Sequence, residues 1–171
     1  QTARTTSDEL VRHEREQLNF LREMISAQGT PELPSVPDVL ASGDPAEAAR
    51  VLRSYYILGV SKPQVDLDRM IAFDRNGKLL IDWQRVSQNP NDPPEEITNT
   101  DLTQIRDVQR VLQGTTVNGN DKFAGLVIFN PDPLPYFYTV VPVREEQRGL
   151  LGGLLIGVKV NNLLANMSRV S

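Results

Sequence analysis

The chain has 171 residues, no cysteine and one histidine, and its 18 basic and 22 acidic side chains give a net charge of −4. This length suits one domain with a sizeable core, and the mild acidity argues against a nucleic-acid partner, which would need a basic surface. Disulfides, thiolate metal sites and cysteine nucleophiles are excluded, and His13 alone cannot form a histidine zinc cluster. We therefore expect no catalytic residue, no metal site and no cofactor.

A long helix is predicted over residues 7–28. An apolar stripe recurs along it at helical spacing: Val11, Leu18, Leu21 and Ile25. His13 lies on the opposite, polar side and is expected to be exposed. The seven-residue spacing within the stripe also permits a coiled-coil seam. Two interpretations stay open: the helix packs on its own domain, or it pairs two copies into a homodimer.

Prolines 31, 34 and 37 indicate an extended connector, followed by a short turn over residues 38–41. Asp44 and Pro45 then begin a second helix that ends near Gly59, since Asp is a favoured N-cap and Pro a favoured first helical residue.

The clearest local pattern is a β-hairpin. Two apolar runs, 70–73 and 78–83, flank Asn76-Gly77, a dipeptide that suits the positive φ angles of a tight hairpin turn. Asp74 is interpreted as a turn residue whose carboxylate binds nearby backbone N–H groups. The polar, proline-rich stretch 84–99 is too long for a simple turn and is typical of a functional cover or a mobile segment.

The second half is predicted to hold a helix over residues 101–113, strands over 123–129, 136–143 and 150–160, and a terminal helix. Consecutive strands with short connections pair antiparallel, so the fold class is α+β with five strands. These strands are apolar on both faces, so both faces must be covered. We expect the long helix on one face and loops with short helices on the other, where a small-molecule cavity could form.

This pattern resembles a Cache domain, a PAS-like extracytoplasmic sensor module of bacterial transmembrane receptors. The segments that carry the resemblance are "RMIAFDRNGKLLID", "VQRVLQG", "PYFYTVVPVREE" and "GLLGGLLIGVKVNNLL", in that order after the long helix. The resemblance implies a long helix along a five-stranded antiparallel sheet. It also implies one sensor domain over residues 1–171, with the long helix at 7–28, a PAS-like core at 70–160 and an outgoing helix at 161–170.

The resemblance further implies a periplasmic or cell-surface portion of a membrane protein. The terminal helices would join membrane segments, and the start at Gln1 rather than Met fits an excised piece. The expected function is sensing of an unknown small molecule for a histidine kinase, cyclase or chemoreceptor, by a ligand-dependent shift of the terminal helices. The alternative is a structural dimerisation module without a ligand. An enzyme that uses Asp74 and Asp82 as acid and base is disfavoured, because no nucleophile or oxyanion donors accompany them.

Seven residues are candidates for the ligand site because they combine flat apolar surfaces with hydroxyl or guanidinium groups. They are Tyr55, Tyr56, Trp83, Arg85, Phe129, Tyr136 and Tyr138. Trp83 has an alternative interpretation as core, since it is in phase with Leu79 and Ile81. The family's amino-acid-sensing members carry a Trp-Tyr pair where this chain has Tyr55-Tyr56, so their recognition pattern is not met.

Overall fold

The computed structural model describes residues 2–129 and 133–170, with side chains described from 7 to 129 and from 133 to 165. The helices are α1 (Thr2–Ser26), α2 (Val36–Ser42), α3 (Pro45–Ser61), α4 (Arg106–Leu112) and α5 (Val160–Val170). The strands are β1 (Arg69–Asp74), β2 (Leu79–Gln84), β3 (Glu95–Glu96), β4 (Phe123–Ile128), β5 (Pro135–Glu145) and β6 (Gly149–Lys159). A 3₁₀ turn, Leu102–Gln104, precedes α4. Among the described residues, none of these helices combines the length and apolarity that crossing a bilayer demands.

Capping side chains explain where the short helices begin. The Ser35 hydroxyl accepts the Asp38 N–H and starts α2, where a short turn was predicted. The Asp44 carboxylate accepts the Ala46 N–H and starts α3, with Pro45 in the first turn, as the sequence predicts. Gly43 separates the two helices in a left-handed conformation, with φ of 66°.

The β1–β2 hairpin is confirmed, and the Asp74 carboxylate organises its turn. Oδ1 accepts the N–H groups of Asn76 and Lys78, each at 2.9 Å. Gly77 takes a positive φ of 82°, while Asn76 does not. The turn is therefore not the two-residue type with two positive φ angles. The strand pairing is irregular next to this turn, because its register shifts between Ala72, which pairs with Ile81, and Phe73, which pairs with Leu79.

All strand pairs are antiparallel, in the order β3-β2-β1-β6-β5-β4. The five predicted strands are present, and the described residues add a sixth. This extra strand, β3, lies in the polar stretch predicted as a loop and pairs with Trp83 and Gln84 at the sheet edge. Two glutamates carry no strand pattern, so their pairing comes from the tertiary position of the segment.

The sheet has two covered faces. We call the side under α1, α2 and α3 the helix face, and the side under the 3₁₀ turn and α4 the loop face. The helix-face core includes Phe20, Leu21, Met24, Val51, Leu52, Tyr56, Met70, Ala72, Trp83, Val141, Leu154 and Ile156. The loop-face core includes Ile71, Phe73, Leu102, Ile105, Val108, Val111, Phe123, Phe129, Tyr136, Tyr138, Val140 and Leu155.

Two glycines of β6 let strand β1 place a phenylalanine against the sheet. A Cβ at Gly153 would lie 2.3 Å from the Phe73 ring, and one at Gly152 would lie 2.1 Å from the Phe73 carbonyl oxygen. Both distances are shorter than any real contact. Gly152 and Gly153 are therefore required for the close packing of Phe73.

The buried side of α1 differs from the predicted stripe. Gln17 points inward because its amide donates to the Phe137 carbonyl at 3.3 Å and its oxygen accepts the Thr139 hydroxyl at 2.5 Å. His13, expected to be exposed, is only 7% exposed. The buried residues of α1 in the described part are His13, Gln17, Phe20, Leu21 and Met24.

The difference between the predicted stripe and the buried side of α1 affects the prediction that this helix pairs two copies of the chain. Leu21 is 0% exposed in its own core, so it cannot belong to an intermolecular seam. Leu18 and Ile25 pack partly against the same core, whereas Val11 is 54% exposed. The interpretation of the stripe as intramolecular packing therefore holds for Leu21. Pairing of two copies through the rest of α1 stays a prediction.

Candidate functional site

A buried ion pair lies on the loop face at the start of β1. Arg69 and Asp82 have side chains that are 2% and 0% exposed. Arg69 Nε lies 2.5 Å from Asp82 Oδ1, and Arg69 Nη2 lies 2.7 Å from Oδ2, so the guanidinium grips the carboxylate with two bonds. The Thr100 hydroxyl also donates to Asp82 Oδ2. The β1–β2 ladder pairs Ile71 with Asp82, which makes Arg69 a diagonal neighbour of Asp82 on one face.

Two aromatic rings enclose the same guanidinium. Its central carbon lies 4.1 Å from the ring centre of Phe129 and 5.5 Å from that of Tyr136, both cation–π distances. The two rings meet edge to face, with centroids 5.4 Å apart. Burial alone would lower the pKa of Arg69, but the hydrogen bonds and charge of Asp82 outweigh burial and raise it. Arg69 is thus permanently charged in a dry, aromatic setting.

A second buried polar pair lies further along the loop face. The Tyr138 hydroxyl donates to Asp107 Oδ2 at 2.7 Å, and Asp107, although ionisable, is buried. Arg110 Nη1 reaches the other carboxylate oxygen at 3.2 Å. Burial raises the pKa of Tyr138, and the hydrogen bond and charge of Asp107 raise it further. Gly125 makes room for this pair, since a Cβ there would lie 2.9 Å from the Tyr138 hydroxyl.

Arg69 and Asp82 form a polar layer that is buried between the sheet and its cover, where the two side chains bind each other. Arg69 and Asp82 together add no net charge, yet they offer N–H donors and carboxylate acceptors in a desolvated layer. Low local dielectric strengthens every hydrogen bond made there, and aromatic walls supply apolar contact. The layer above them consists of a 3₁₀ turn and a seven-residue helix, which is a thin cover.

The predicted site residues divide between the two faces. Tyr56 and Trp83 lie on the helix face in an edge-to-face contact, with ring centroids 5.8 Å apart. Trp83 is part of this buried core, in agreement with its alternative interpretation as a core residue. Tyr55 is half-buried and packs against the same core. Arg85 pairs with Asp66 and Asp68 rather than facing open space.

The remaining three predicted residues share the loop face. Phe129, Tyr136 and Tyr138 all belong to the loop-face core, and the first two contact Arg69. One cavity therefore cannot be lined by all seven candidates. The assignment of site residues stays a prediction, and these three are the candidates that share the loop face.

Sequence reasoning missed Arg69, Thr100 and Asp107, and it weighed Asp82 only as an acid or base. A signal for the ion pair was present. Counting outward from Asn76-Gly77 pairs position 71 with 82 and places Arg69 diagonally beside Asp82, as observed. Thr100 and Asp107 carried no such signal, because their positions depend on how the cover docks.

No family model and no curated protein matches the sequence. Solved structures do match. The E. coli DcuS sensor domain superimposes with a TM-score of 0.59 at 12% identity, over 94% of this chain and 98% of that one. The ligand-binding domain of the Campylobacter jejuni chemoreceptor Tlp3, in complex with L-valine, gives 0.55 at 15% identity over 95% of this chain.

The sensory domain of Tlp3 in a further structure gives a TM-score of 0.53 at 14% identity. This chain spans 61–62% of the Tlp3 domains, against almost the full length of the DcuS domain. The likeness confirms the predicted α+β, PAS-like architecture. The chain shares the fold of these sensor domains.

Proposed function

We propose that the chain is an extracytoplasmic sensor domain of a membrane-anchored signalling protein and binds a polar small molecule on its loop face. The observation that carries the proposal is the buried network of Arg69, Asp82 and Thr100 beneath a thin cover. The fold shared with sensor and ligand-binding domains supports it.

Stability alone does not account for this network. A buried ion pair gains little over apolar side chains of similar volume, because desolvation of both charges offsets their attraction. Apolar side chains such as Ile71, Phe73 and Val140 fill the rest of the loop-face core, so packing there does not demand charges. Charged groups held rigidly among them would provide pre-organised donors and acceptors, which is what a ligand site requires.

Signalling would follow from differential binding. A ligand that contacts Arg69, Asp82 or Tyr136 favours whichever arrangement of β1 and its cover fits it better. Strand β1 pairs with β6, and β6 continues into α5. A shift in strand position would therefore reach the C-terminal helix.

A thermal-shift screen of the 171-residue chain tests the proposal. The compound classes are carboxylates, dicarboxylates, amino acids, amines and nucleobases. A binder at one hundred times its dissociation constant should add about 2.7 kcal/mol to the free energy of unfolding. If no class raises the melting temperature, the proposal is wrong.

A matched pair of variants then locates the binder. Tyr136→Phe and Tyr55→Phe each remove one hydroxyl, on the loop face and the helix face respectively. We expect calorimetry to show weaker binding for Tyr136→Phe and unchanged binding for Tyr55→Phe. The reverse result would place the ligand on the helix face.

Pairing of two copies through α1 is a second proposal, favoured by the exposure of Val11. Val11, Leu18 and Ile25 repeat every seven residues, and each keeps some surface outside the core. Sedimentation velocity should show a dimer that Val11→Glu dissociates. A monomer for both proteins would contradict pairing.

A further inference from the structure

The last strand and the last helix are joined without a loop. β6 ends at Lys159 and α5 begins at Val160. Because no flexible residues separate the strand from the helix, the contacts of the first turn of α5 also determine the direction in which the helix leaves the sheet.

One buried carboxylate holds this junction. Asp68, which immediately precedes β1, accepts the Lys159 N–H at 2.6 Å and the Asn162 side-chain amide at 3.0 Å, both through Oδ2. The N-terminus of a helix carries partial positive charge, so an anion there is stabilising. Asp68 is buried, and its pKa is raised first of all by that burial, although these hydrogen bonds and Arg85 act against the rise.

Arg85 anchors the other oxygen of the same carboxylate. Its Nη2 lies 2.7 Å from Asp68 Oδ1, and its Nη1 lies 2.9 Å from Asp66 Oδ1. The backbone adds two bonds: the Asp68 N–H donates to the Gly157 carbonyl, and the Arg85 N–H donates to the Asp68 carbonyl, each at 2.9 Å. Asp68 thus ties the ends of β2 and β6 and the start of α5 to one point.

The next residue along the chain belongs to the proposed ligand site. Consecutive strand residues project to opposite sides of a sheet, and here Asp68 contacts the α5 junction while Arg69 grips Asp82 on the loop face. A displacement of the Arg69 backbone also moves the Asp68 backbone, because one peptide unit joins them.

We propose that Asp68 is a positioning residue, a latch that fixes the first turn of α5 and transmits movement of Arg69 and Asp82 to that helix. The transmission part rests on the proposed function, whereas the latch itself does not. The residues involved are Asp68, Arg85, Lys159 and Asn162, with Arg69 and Asp82 on the opposite face.

Amide hydrogen exchange of the 171-residue chain, measured by NMR, tests the latch. Asp68→Asn should speed exchange of the Lys159 amide and of amides 164–167 about tenfold, the effect expected for weakening a buried charged hydrogen bond at a helix start. Asp66→Asn is the matched control, since Asp66 pairs with the same guanidinium of Arg85, whereas the bonds to Lys159 and Asn162 come from Asp68. It should leave these amides within about twofold of the wild type.

A structural role alone would produce a different pattern. If Asp68→Asn merely loosened the fold, the strand amides of Ile71 and Ala72 would accelerate by the same factor as those of α5. Equal acceleration, or no acceleration in α5, would overturn the latch. Asp68→Ala, which removes both acceptor oxygens, should show the same local pattern with a larger factor.

Transmission is tested by a double-mutant cycle across the sheet. Thr100→Val removes one donor to Asp82 on the loop face and leaves both charges in place. We expect it to change the exchange of α5 amides in the wild-type background and to change them much less in the Asp68→Asn background. An equal effect in both backgrounds would overturn transmission through Asp68.

Neither measurement uses a ligand, so the two proposals can fail separately. If the latch fails, the thermal-shift screen still decides whether the loop face binds a small molecule. If the screen fails, hydrogen exchange still decides whether Asp68 holds the first turn of α5.

Discussion

The two faces of the sheet solve the problem of burial differently. On the helix face, α1 and α3 lay apolar side chains such as Leu21, Met24 and Leu52 on the apolar centre of the sheet. On the loop face, a 3₁₀ turn and the short α4 cover a layer that contains Arg69 and Asp82 as well as apolar groups. Long helices cover one face and short helices cover the other, and the Arg69–Asp82 pair lies within the layer of the loop face.

Apolar side chains and paired charges contribute to stability in different ways. Apolar burial stabilises in proportion to area and has no directional requirement. Buried charges stabilise little in total, but the loss of one partner is strongly destabilising. The helix face is therefore expected to tolerate shape-conserving change, and the loop face to depend on complete pairing of its charges.

The largest expected effect comes from Asp82→Ala. It leaves the Arg69 charge buried without its carboxylate, so the free energy of unfolding should fall by about 3–5 kcal/mol. Chemical denaturation measures the loss. Replacing both partners, Arg69→Met with Asp82→Leu, should restore most of it, because neither charge remains to be desolvated. A double variant as unstable as Asp82→Ala would contradict the role of paired charges on the loop face.

On the helix face, Leu21→Ala should cost about 3 kcal/mol, from lost apolar burial and the cavity that remains. The same denaturation experiment measures it. Val11→Ala is the control on the same helix and should change the free energy of unfolding by less than about 0.5 kcal/mol, because Val11 is exposed. Similar losses for both would show that Val11 is also buried, as it would be in a dimer.

Tyr138→Phe probes the second polar pair of the loop face. Removing the hydroxyl leaves the buried Asp107 carboxylate short of one donor, which should cost about 1–2 kcal/mol. Tyr55→Phe should be nearly neutral in the same assay, since Tyr55 is half-buried on the other face. An equal effect of the two substitutions would remove the distinction between the faces.

The smallest expected effect is a pH dependence on the helix face. Burial, and secondarily the charge of Arg12, lowers the pKa of His13 below its ordinary 6.5, although Glu9, Asp66 and Glu16 act in the opposite direction. The neutral imidazole is therefore the form that fits the fold. Stability is therefore unaffected by this group above pH 6.5, falls as the pH drops from 6.5 toward the lowered pKa, and levels off below it.

His13→Leu should flatten this decline. Comparing the free energies of unfolding at about pH 7.5 and about pH 5.5 for both proteins measures it, and the variant should lose less on acidification. The Nδ1 atom of His13 has no hydrogen-bond partner among the described residues, so the substitution leaves no partner of that atom unpaired. An identical pH dependence for both proteins would refute the assignment to His13.

Local patterns predicted much of the fold. Asp44-Pro45 marked the start of α3, and Asp74 with Gly77 marked the hairpin turn, because caps and turns are decided by a few adjacent residues. β3 was not predictable, since its two glutamates form a strand only by docking against β2. The inward turn of α1 was missed because Gln17 is buried by bonds to a strand 120 residues away.

The candidate site was predictable only in part. Aromatic residues in β5 pointed to the loop face through Tyr136 and Tyr138, since alternation assigns both to one side of a strand. Trp83 lies on the other face of the sheet from these two tyrosines. The alternation along a strand predicts which of its residues share a face, but it does not predict which face the helices cover. Thr100 and Asp107 come from the cover, whose docking no local pattern encodes.

The direct junction of β6 and α5 has a mechanical consequence. An 11-residue helix is about 16 Å long at about 1.5 Å per residue, so it acts as a lever whose pivot is at Lys159 and Val160. A tilt of about 5° at that pivot would carry the far end of the helix sideways by about 1.4 Å, within the range of helix shifts that switch other proteins. Rotations too small to disturb the strand hydrogen bonds would thus be readable at the exit of the domain.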